Sequence, residues 1–423
     1  MITRETEKFY PDKLTPIGLG KIVERYQGAK KRMYYKAMTR LKEEGYKERY
    51  GAVRMFVKNE RFPDEDIVRK PPRAIQYRSP EFNLMFMKYT IPFEEHYYES
   101  LNYGSASGTR VIAKGLNPAQ RGELFLEKLK YFKTPVFTML DYTAYDSTIL
   151  KEHIKSTHRK YEKAFGKGTL RWIQKQQCNN KGRTRHGIRY KVEGTRMSGD
   201  ADTGLGNTII NCDSIYGALK LAGVEKYDWL CDGDDAVIIT EKKVELSFKE
   251  NGFIAKLSYT TDVHQVEFCQ SRIVLTPEPI FVRHPRKIMS STAMCRVPYG
   301  KYNGWLAAVG MCEAACNPGV PINQAFGEKL MKLPYRKMIM DRDVKRRMEG
   351  SVVKHKDVTQ IARLTYYLAF GVPPPVQEML EQQITSDDKN YNYDNKDDES
   401  LRRTWTWSQL SSEFGSCGWW CGG

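Results

Sequence analysis

The sequence predicts an α+β fold that combines helices with an antiparallel sheet. The apolar stretch PVFTML at 135–140 has the length of a buried strand, and the pattern at 151–165 is helical. The stretches YDWLC and AVIIT flank the turn DGDD, which predicts a β-hairpin. From about residue 300 the apolar spacing becomes helical, most clearly in VTQIARLTYYLAFG.

The elements before the sheet are less regular. The first fifty or so residues are basic and helical, and this region ends at Gly51. Prolines and charges between 55 and 80 predict short strands and loops. Residues 82–100 are apolar enough for two buried helices, with a break at Pro92 because proline cannot donate the helical hydrogen bond.

Three segments follow the first strand and its helix. Residues 205–223 carry apolar side chains at helical spacing and end in glycine, which predicts a long helix. The stretch VEFCQSRIVL at 266–275 predicts a further strand. Residues 384–400 are polar, acidic and poor in apolar groups, so we expect a mobile linker there.

Length and composition limit the possible functions. The chain has 423 residues, enough for two or three packed modules. Lys and Arg number 68 against 51 Asp and Glu, a net charge of +17. Such a surplus favours a polyanionic partner because phosphate binding releases counterions, although a merely basic soluble protein has the same balance. Nine scattered Cys favour a reducing compartment, and no apolar run approaches the roughly 18 residues of a membrane span.

Acidic residues follow the strands at two places. Asp141 comes directly after the apolar strand, and Asp234 and Asp235 lie in the hairpin turn, where Gly233 supplies backbone freedom. Nucleotidyl transfer needs divalent cations held by hard oxygen ligands, and strand ends expose such ligands on a rigid base. The alternative is an ordinary solvated acidic turn, so the turn alone is a weak signal.

A second motif, TRMSGDADTGLGNTIIN, lies where a loop becomes the long helix. Ser198, Thr203 and Asn207 are small polar residues that can hydrogen-bond a sugar hydroxyl, and Gly199 allows close approach of a substrate. The alternative is an ordinary polar helix start with Asp202 or Thr203 as the cap.

A third motif, MFVKNERFPDEDIVRKPPRAIQYRSP, places cations between apolar residues. Mixed Lys and Arg on a rigid ribbon suit triphosphate binding because guanidinium forks match phosphate oxygens. An exposed basic loop is the alternative. The cations are Lys58, Arg69, Lys70, Arg73 and Arg78.

The order and spacing of these motifs resemble the RNA-dependent RNA polymerases of positive-strand RNA viruses, most closely the tombusvirus-like branch of the flavivirus-like supergroup. DYTAYD resembles motif A, with Asp141 and Asp146 at its two aspartate positions. SGDADTGLGN matches motif B and GDD motif C, while VKNE with RKPPRAIQ resembles motif F and EFCQS motif E. The resemblance also includes IAKGLN and ARLTYYLAFGVPP and extends from about residue 50 to residue 380.

The resemblance implies roles for the matching residues. Asp141 and Asp234 would bind two Mg²⁺ ions, or Mn²⁺, with the help of Asp235. The ribose 2′-hydroxyl would be contacted by Asp146, Ser198 and Asn207, supported by Thr203. The triphosphate would be held by Lys58, Arg69 and Arg73. RNA would be contacted by Arg78, Lys114, Gly199, Cys269 and Gln270. Lys256, in NGFIAKLS, resembles the motif D general acid, although a solvated surface lysine would fit the sequence equally well.

The resemblance also implies a right-hand fold with a ferredoxin-like palm sheet. The implied ranges are fingers 1–134 and 155–195, palm 135–154 and 196–285, thumb 286–383, and a linker and tail 384–423. The partners would be template and product RNA, rNTPs and viral or host replication-complex proteins. We expect de novo initiation in the host cytoplasm, in a membrane-associated complex to which a partner recruits this chain.

Three other functions remain open. A reverse transcriptase shares the carboxylates but excludes the 2′-hydroxyl with a bulky residue, whereas Asp146 and Asn207 favour its recognition. A non-catalytic RNA-binding replication protein would not need intact metal-binding aspartates. A two-metal nuclease would leave the second and third motifs without a role.

Cysteines and tryptophans in the last third of the chain allow two further hypotheses. Two pairs of cysteines four residues apart could bind zinc, although inert thiols are the simpler interpretation because no clear His partner follows. The tryptophans could stack on an initiating nucleotide if the tail folds back toward the active-site channel, and simple tail packing is the alternative. These residues are Cys312, Cys316, Cys417, Cys421, Trp405, Trp407, Trp419 and Trp420.

Overall fold

The computed structural model describes residues 5–58, 69, 71–291 and 297–386. It contains helices together with predominantly antiparallel sheets, so the predicted α+β class is confirmed. The chain divides into two compact units, which are considered separately. The first comprises the described residues of Met1–Gly115 and Lys130–Tyr259, and the second those of Leu116–Leu129 and Thr260–Gly423.

The elements are numbered along the chain. The helices are α1 (Leu19–Glu24), α2 (Gly28–Glu44), α3 (Pro80–Ser100), α4 (Pro118–Leu129), α5 (Tyr145–Thr148), α6 (Lys151–Phe165), α7 (Arg171–Cys178), α8 (Thr203–Leu221), α9 (Pro285–Ser291), α10 (Tyr302–Cys316), α11 (Asn323–Met331), α12 (Arg342–Met348), α13 (Gln360–Phe370) and α14 (Pro374–Ser386). The strands are β1 (Val53–Val57), β2 (Ala74–Tyr77), β3 (Val136–Tyr142), β4 (Asn179–Thr184), β5 (Arg189–Glu193), β6 (Tyr227–Asp232), β7 (Asp235–Thr240), β8 (Ala255–Thr260), β9 (Ser271–Leu275) and β10 (Pro279–Arg283).

The central sheet of the first unit has the strand order β6-β7-β3-β8. The predicted hairpin is confirmed, since β6 and β7 pair antiparallel up to the turn. β3 also pairs antiparallel with β7, and the last matched residues are Leu140 and Ala236. The end of β3 and the hairpin turn therefore lie at the same rim of the sheet.

Helix α8 is buried on nearly all sides, from Leu205 to Leu219. A helix without a polar face belongs in the interior of a unit. This helix confirms the prediction made for 205–223 and extends it to Thr203 at its start. It positions the second motif beside the sheet.

Helix α3 runs without interruption through Pro92, so the predicted break into two helices is wrong. A proline in a helix leaves the carbonyl four residues earlier without its donor. Here that carbonyl, on Lys88, accepts a hydrogen bond of 3.0 Å from the N–H of Ile17. A distant segment thus satisfies the group that proline exposes.

A second sheet of the first unit has the order β2-β1-β4-β5. β1 pairs antiparallel with β2 and parallel with β4, and β4 forms an antiparallel hairpin with β5. The strands predicted between 55 and 80 are confirmed at Val53–Val57 and Ala74–Tyr77. In the stretch between them, residues 59–68 and 70 lie outside the described residues.

The second unit combines the β9–β10 hairpin with helices α4 and α9 to α14. The strand predicted at 266–275 begins only at Ser271, because Cys269 and Gln270 have φ angles of 51° and 60° and form a turn. Helix α14 continues to Ser386, so the first residues of the predicted linker are helical. The rest of that linker, and the Cys and Trp residues after it, lie outside the described residues.

No helix in the described ranges is both long enough and apolar enough to cross a membrane.

Candidate active site

Three carboxylates gather at the rim of the central sheet, which we call the acidic rim: Asp141, Asp234 and Asp235. The pairing of β3 with β7 ends at Leu140 and Ala236. Asp141 directly follows Leu140, and Asp235 directly precedes Ala236. All three side chains are exposed. The turn between them contains Gly233 with a φ of 71°, a conformation that glycine adopts without strain.

The turn backbone is held by helix α8. Asn211 donates to the carbonyl oxygens of Gly233 and Asp234, at 3.0 and 3.1 Å. The hydroxyl of Thr208 accepts a hydrogen bond of 3.1 Å from the N–H of Gly233. These bonds fix the turn rigidly, although neither side chain was among the predicted site residues. Both lie in the second motif. Thr208 is about one helical turn after Gly204, and Asn211 is about two turns after it.

The pKa of Asp234 reflects its neighbours at the end of β3. Loss of solvent around its carboxylate raises the pKa of Asp234, and the charges of Asp146 and Asp141 raise it further. A backbone hydrogen bond and the cation of Lys114 act in the opposite direction. The charges of two other carboxylates therefore act on Asp234 and contribute to the rise of its pKa.

The donor set of the acidic rim fits a divalent cation that substrate oxygens complete. Within the described ranges, no three His, Cys, Asp or Glu side chains form a group that could hold a metal ion by themselves. Mg²⁺ is commonly bound by one or two carboxylates together with phosphate oxygens and water. A cation between Asp141 and Asp234 would also relieve their mutual repulsion. Cys312 and Cys316, both buried on α10, likewise have no third His, Cys, Asp or Glu among the described residues with which they could hold a metal ion.

Asp146 and Asn207 form a direct hydrogen bond beside the rim. The amide nitrogen of Asn207 donates to Asp146 Oδ1 at 2.7 Å. Its amide oxygen accepts from Nε of Arg196 at 3.2 Å. Because one end of the amide faces a cation and the other a carboxylate, only one orientation satisfies both. Arg196 therefore sets which way Asn207 points.

Arg196 is itself buried, and an ion pair with Asp202 holds it in place. Its Nη1 donates to Asp202 Oδ2 at 2.9 Å, and the two side chains are each about 1% exposed. A Cβ atom at position 206 would lie 2.4 Å from Nη2 of this arginine, so Gly206 makes the room that Arg196 occupies. One of the sequence interpretations expected Asp202 to cap helix α8. Its side chain makes no capping hydrogen bond, so that expectation is wrong for Asp202.

A buried polar layer, which we call the floor, lies under the second motif: Arg78, His158, Gln177, Asp200 and Asp202. Nε2 of Gln177 donates to Asp200 Oδ2 and Asp202 Oδ1, both at 2.9 Å. Arg78 donates from Nε to Asp200 Oδ1 at 2.8 Å. His158 Nε2 lies 2.7 Å from the amide oxygen of Gln177. Burial raises the pKa of Asp200, and Arg78 opposes that shift.

The prediction that Arg78 contacts RNA is corrected by this arrangement. Arg78 is only 2% exposed. Its remaining nitrogens donate to the carbonyl of Gly51 and to the side-chain oxygen of Asn180. A buried guanidinium whose three nitrogens each donate to groups inside the protein is not accessible to a phosphate.

The loop before α8 is attached to the edge of β2. Ser198 Oγ accepts from the N–H of Gln76 at 3.2 Å, and the N–H of Gly199 donates to the Gln76 carbonyl at 2.7 Å. A Cβ atom at position 199 would lie 2.5 Å from Cβ of Tyr77, so a strand of the same chain requires this glycine. Thr203 Oγ1 lies 2.8 and 2.9 Å from two carbonyl oxygens of the loop that precedes it.

The predicted phosphate-binding cations lie around β1 and β2. The N–H of Lys58, directly after β1, donates to the carbonyl of Arg73 at 2.7 Å, which closes this end of the strand pair. Arg69 and Arg73 are exposed, and Lys58 is half-buried. Lys114 pairs with Asp232, next to the acidic turn, with Nζ to Oδ1 at 3.0 Å.

Lys256 is exposed on β8, the strand next to β3. The carbonyl of Ile254 accepts from the N–H of Thr143 at 3.0 Å, so this strand runs past the end of β3. Cys269 and Gln270 belong to the second unit, where the turn that they form closes through paired bonds between Phe268 and Ser271.

Sequence reasoning missed Arg196 and Gln177 as parts of the site. Arg196 directly precedes the quoted Met-Ser-Gly, and a lone arginine at the base of a glycine loop is the signal that could have indicated it. Gln177 has no such signal, since it lies in a polar helical stretch.

The class of protein to which this α+β unit and its acidic rim belong is given by comparison with known families. A sequence profile of the family described as viral RNA dependent RNA polymerase matches residues 2–389. The chain belongs to this family, and the resemblance inferred from its motifs is confirmed.

Individual relatives are viral proteins. The RNA-directed RNA polymerase of tobacco necrosis virus (strain A) is 30% identical over 394 residues, which cover 87% of this chain and 54% of the relative. That of turnip crinkle virus is 29% identical, covering 87% and 50%. That of groundnut rosette virus (strain MC1) is 28% identical, covering 87% and 46%. The chain spans about half the length of the curated relatives that it matches.

Proposed function

We propose that this chain carries the catalytic part of a viral RNA-directed RNA polymerase. It would transfer nucleotides from rNTPs to the 3′-hydroxyl of RNA, directed by an RNA template, to replicate a viral genome. The observation that carries the proposal is the 2.7 Å hydrogen bond between Asn207 and Asp146 beside Asp234. It combines a group able to sense a sugar hydroxyl with carboxylates able to hold a cation.

Asp141 and Asp234 are the proposed metal ligands, assisted by Asp235, with Mg²⁺ as the cofactor and Mn²⁺ as a substitute. A bound pair of divalent cations would activate the attacking hydroxyl and neutralise the leaving pyrophosphate. Support comes from the repulsion around Asp234, which a cation would relieve. The turn of the β6–β7 hairpin, bonded to Asn211 and Thr208 of α8, holds the backbone of Asp234 in place.

Asp146, Ser198 and Asn207 are the proposed readers of the ribose 2′-hydroxyl, with Thr203 supporting that network. A deoxynucleotide would leave their polar groups unpaired, and that costs more than a lost contact. The proposal therefore includes selection of rNTPs over dNTPs. A reverse transcriptase would have the opposite preference.

Cations are proposed for the remaining steps. Lys58, Arg69 and Arg73 would hold the triphosphate, because charge-assisted bonds to phosphate are strong and directional. Lys256 would give a proton to the leaving pyrophosphate, as an exposed lysine on the strand next to Asp141 can.

Membership of the family supports a proposal for the wider assembly. We propose a right-hand arrangement of fingers, palm and thumb, with template and product RNA contacted by Lys114, Gly199, Cys269 and Gln270. Viral or host replication-complex proteins would recruit the chain to a membrane-associated complex in the host cytoplasm.

Primer extension on a short RNA template tests the proposal. Purified protein with Mg²⁺ or Mn²⁺ should incorporate rNTPs and reject dNTPs. Asp234→Ala should abolish synthesis, with RNA binding unchanged in a separate equilibrium measurement. Full activity of that variant, or a preference for dNTPs, would contradict the assignment.

A further inference from the structure

Strand β3 ends with an exposed carboxylate followed by a buried ring. Leu140 and Tyr142 are buried, whereas Asp141 between them is exposed. Successive residues of a strand point to opposite faces of the sheet. The strand end that presents Asp141 at the acidic rim therefore turns the side chain of Tyr142 into the interior of the unit.

The ring of Tyr142 is enclosed by other aromatic rings. Its centroid lies 4.6 Å from that of Tyr145, 5.3 Å from that of Phe253 and 5.7 Å from that of Phe248. Side chains in a close-packed interior occupy defined rotamers. The packing therefore fixes where the hydroxyl of Tyr142 lies.

That hydroxyl donates to Asn211 Oδ1 at 3.1 Å. Asn211 is fully buried on α8, and its amide nitrogen donates to the carbonyl oxygens of Gly233 and Asp234. Because a carbonyl oxygen can only accept, the amide nitrogen has to face the turn and the amide oxygen has to face Tyr142. The bond from Tyr142 thus favours the one orientation of Asn211 that holds the turn.

Two side chains therefore connect the backbones of the two proposed metal ligands. Tyr142 directly follows Asp141 in the chain, and Asn211 bonds both the Tyr142 hydroxyl and the Asp234 carbonyl. The connection runs through the interior of the unit, on the side of β3 away from the Asp141 carboxylate. The spacing of the two carboxylates thus depends on a bond that neither of them makes.

We propose that Tyr142 is a positioning residue for the divalent cation. Its hydroxyl orients Asn211, and Asn211 keeps the backbone of Asp234 in register with Asp141. This spacing matters because Mg²⁺ demands nearly ideal octahedral geometry. The inference rests on the proposed function, since the cation site is part of it.

The test begins with Tyr142→Phe, which removes the hydroxyl and keeps the ring. Mn²⁺ binding to the purified chain is followed by the electron paramagnetic resonance signal of the free ion, and the site is defined as the one lost in Asp234→Ala. The dissociation constant of this site should rise about fivefold, the value of one hydrogen bond.

Primer extension supplies a second measurement on the same variant. The Mg²⁺ concentration for half-maximal rate should rise by a similar factor, and saturating Mg²⁺ should restore most of the wild-type rate. A purely structural role would have a different result, because a smaller folded fraction lowers the rate at every Mg²⁺ concentration without moving the half-maximal point.

Tyr227→Phe is the matched control. Tyr227 is a buried tyrosine of the same central sheet, and its hydroxyl donates to the carbonyl of Tyr103, also at 3.1 Å. It begins β6, at the end opposite the acidic turn. This variant loses the same group and a bond of the same length, and it should leave both metal constants unchanged.

A double-variant comparison shows whether Tyr142 acts through Asn211. Asn211→Ala should also raise the Mn²⁺ constant, and adding Tyr142→Phe to it should raise the constant no further, because the two changes break one connection. The preference for rNTPs over dNTPs should stay at the wild-type value in Tyr142→Phe, since Arg196 still orients Asn207.

Three results would overturn the inference: unchanged metal constants in Tyr142→Phe, an equal rise in Tyr142→Phe and Tyr227→Phe, or independent additive effects of Tyr142→Phe and Asn211→Ala. If Asn211→Ala does not fold, the comparison of the two tyrosine variants decides. Wild-type Mn²⁺ binding by Asp234→Ala would contradict the proposed metal site itself. Binding that depends on Asp234 and not on Tyr142 would overturn this inference alone.

Discussion

The acidic rim and the floor of the first unit hold carboxylates in opposite ways. On the rim, Asp234 is exposed and close to two other carboxylates, which raise its pKa beyond the effect of lost solvent. In the floor, Asp200 and Asp202 are buried against Arg78 and Arg196 at 2.8 and 2.9 Å. A buried charge must be paired, because its desolvation otherwise costs several kcal/mol. Asp234 has no such buried cation as a partner within the described residues, so its carboxylate is one that a substrate or cation can use.

Asp213, a buried residue of α8, is paired with a cation in the same way as the carboxylates of the floor. It is paired with the fully buried Lys160. The hydroxyls of Tyr10 and Tyr103 each donate to its Oδ1 at 2.9 Å. Residues far apart in the chain are thereby held around one charge. The floor is connected to the acidic rim through Arg196, which binds Asp202 in the floor and orients Asn207 beside the rim.

Removing a buried cation should have the largest effect on stability. Lys160→Met leaves the Asp213 charge without its partner, and we expect the free energy of unfolding to fall by about 3–5 kcal/mol. Urea unfolding followed by circular dichroism measures this. The control is Arg25→Met, which breaks an exposed pair with Glu95 and should cost less than about 1 kcal/mol. Equal losses in the two variants would remove the distinction between buried and exposed pairs.

Acid should weaken the floor through His158. Burial lowers the pKa of His158 to about 4. Below its ordinary pKa of about 6.5 the unfolded chain takes up a proton that the folded one does not, so stability falls as the pH falls. At pH 5.5 the loss from this residue should be about 1.4 kcal/mol relative to pH 8.

The difference between wild type and His158→Gln isolates this contribution. Glu94 acts in the opposite direction, since burial raises its pKa to about 7, but it does so in both proteins. His96→Gln, at an exposed position of α3, is the control and should retain the wild-type pH dependence. A difference curve that stays flat between pH 8 and 5.5 would mean that His158 does not titrate as inferred.

The rim was easier to predict from the sequence than the floor. Asp141 and Asp234 follow apolar strands, so the pattern that predicts the sheet also predicts where its carboxylates emerge. Arg78 lies in a basic stretch that looks exposed, and Gln177 in a polar helix. Their burial depends on partners about a hundred residues away, such as Asp200 and Asn180 for Arg78. The local periodicity of apolar residues in the sequence does not indicate such a contact.

Helix α3 illustrates the same limit. A proline inside an apolar segment indicates a break because it leaves one carbonyl without a donor. The chain supplies the missing donor from Ile17, far outside the window in which a helix is predicted. Local chemistry identified the unsatisfied group correctly, and only the tertiary structure shows what satisfies it.

The link between floor and rim should be visible in sugar selection. Arg196→Lys keeps a charge for Asp202 but cannot also donate from a guanidinium Nε to Asn207. With its amide no longer fixed, Asn207 should discriminate less, and we expect the preference for rNTPs over dNTPs to fall about fivefold, the value of one hydrogen bond. Single-nucleotide incorporation measures the ratio.

Gly206→Ala serves as an independent check on that link. Its new methyl group would meet the guanidinium of Arg196 and should shift the ratio in the same direction. A lower rate for both sugars with an unchanged ratio would assign Arg196 a purely structural role.

Neutralising the rim should have the smallest effect on stability, and of the opposite sign. Since the pKa of Asp234 is raised in the folded protein, its charged form opposes folding above that pKa. Asp234→Asn should therefore stabilise the protein at pH 7, by less than about 1 kcal/mol because the side chain is exposed. The gain should vanish as the pH falls toward the ordinary aspartate value of about 3.9, where the wild type is also neutral. Glu225→Gln, at another exposed position, should change nothing.

Mg²⁺ titration sharpens the same comparison. A cation that binds only the folded state raises stability by mass action, so added Mg²⁺ should raise the unfolding temperature of the wild type. It should raise that of Asp234→Asn less, because one proposed ligand has lost its charge. If Asp234→Asn is less stable than the wild type without Mg²⁺, the repulsion at the rim is already balanced within the chain. The contrast with the floor would then be lost, since both regions would hold only paired carboxylates.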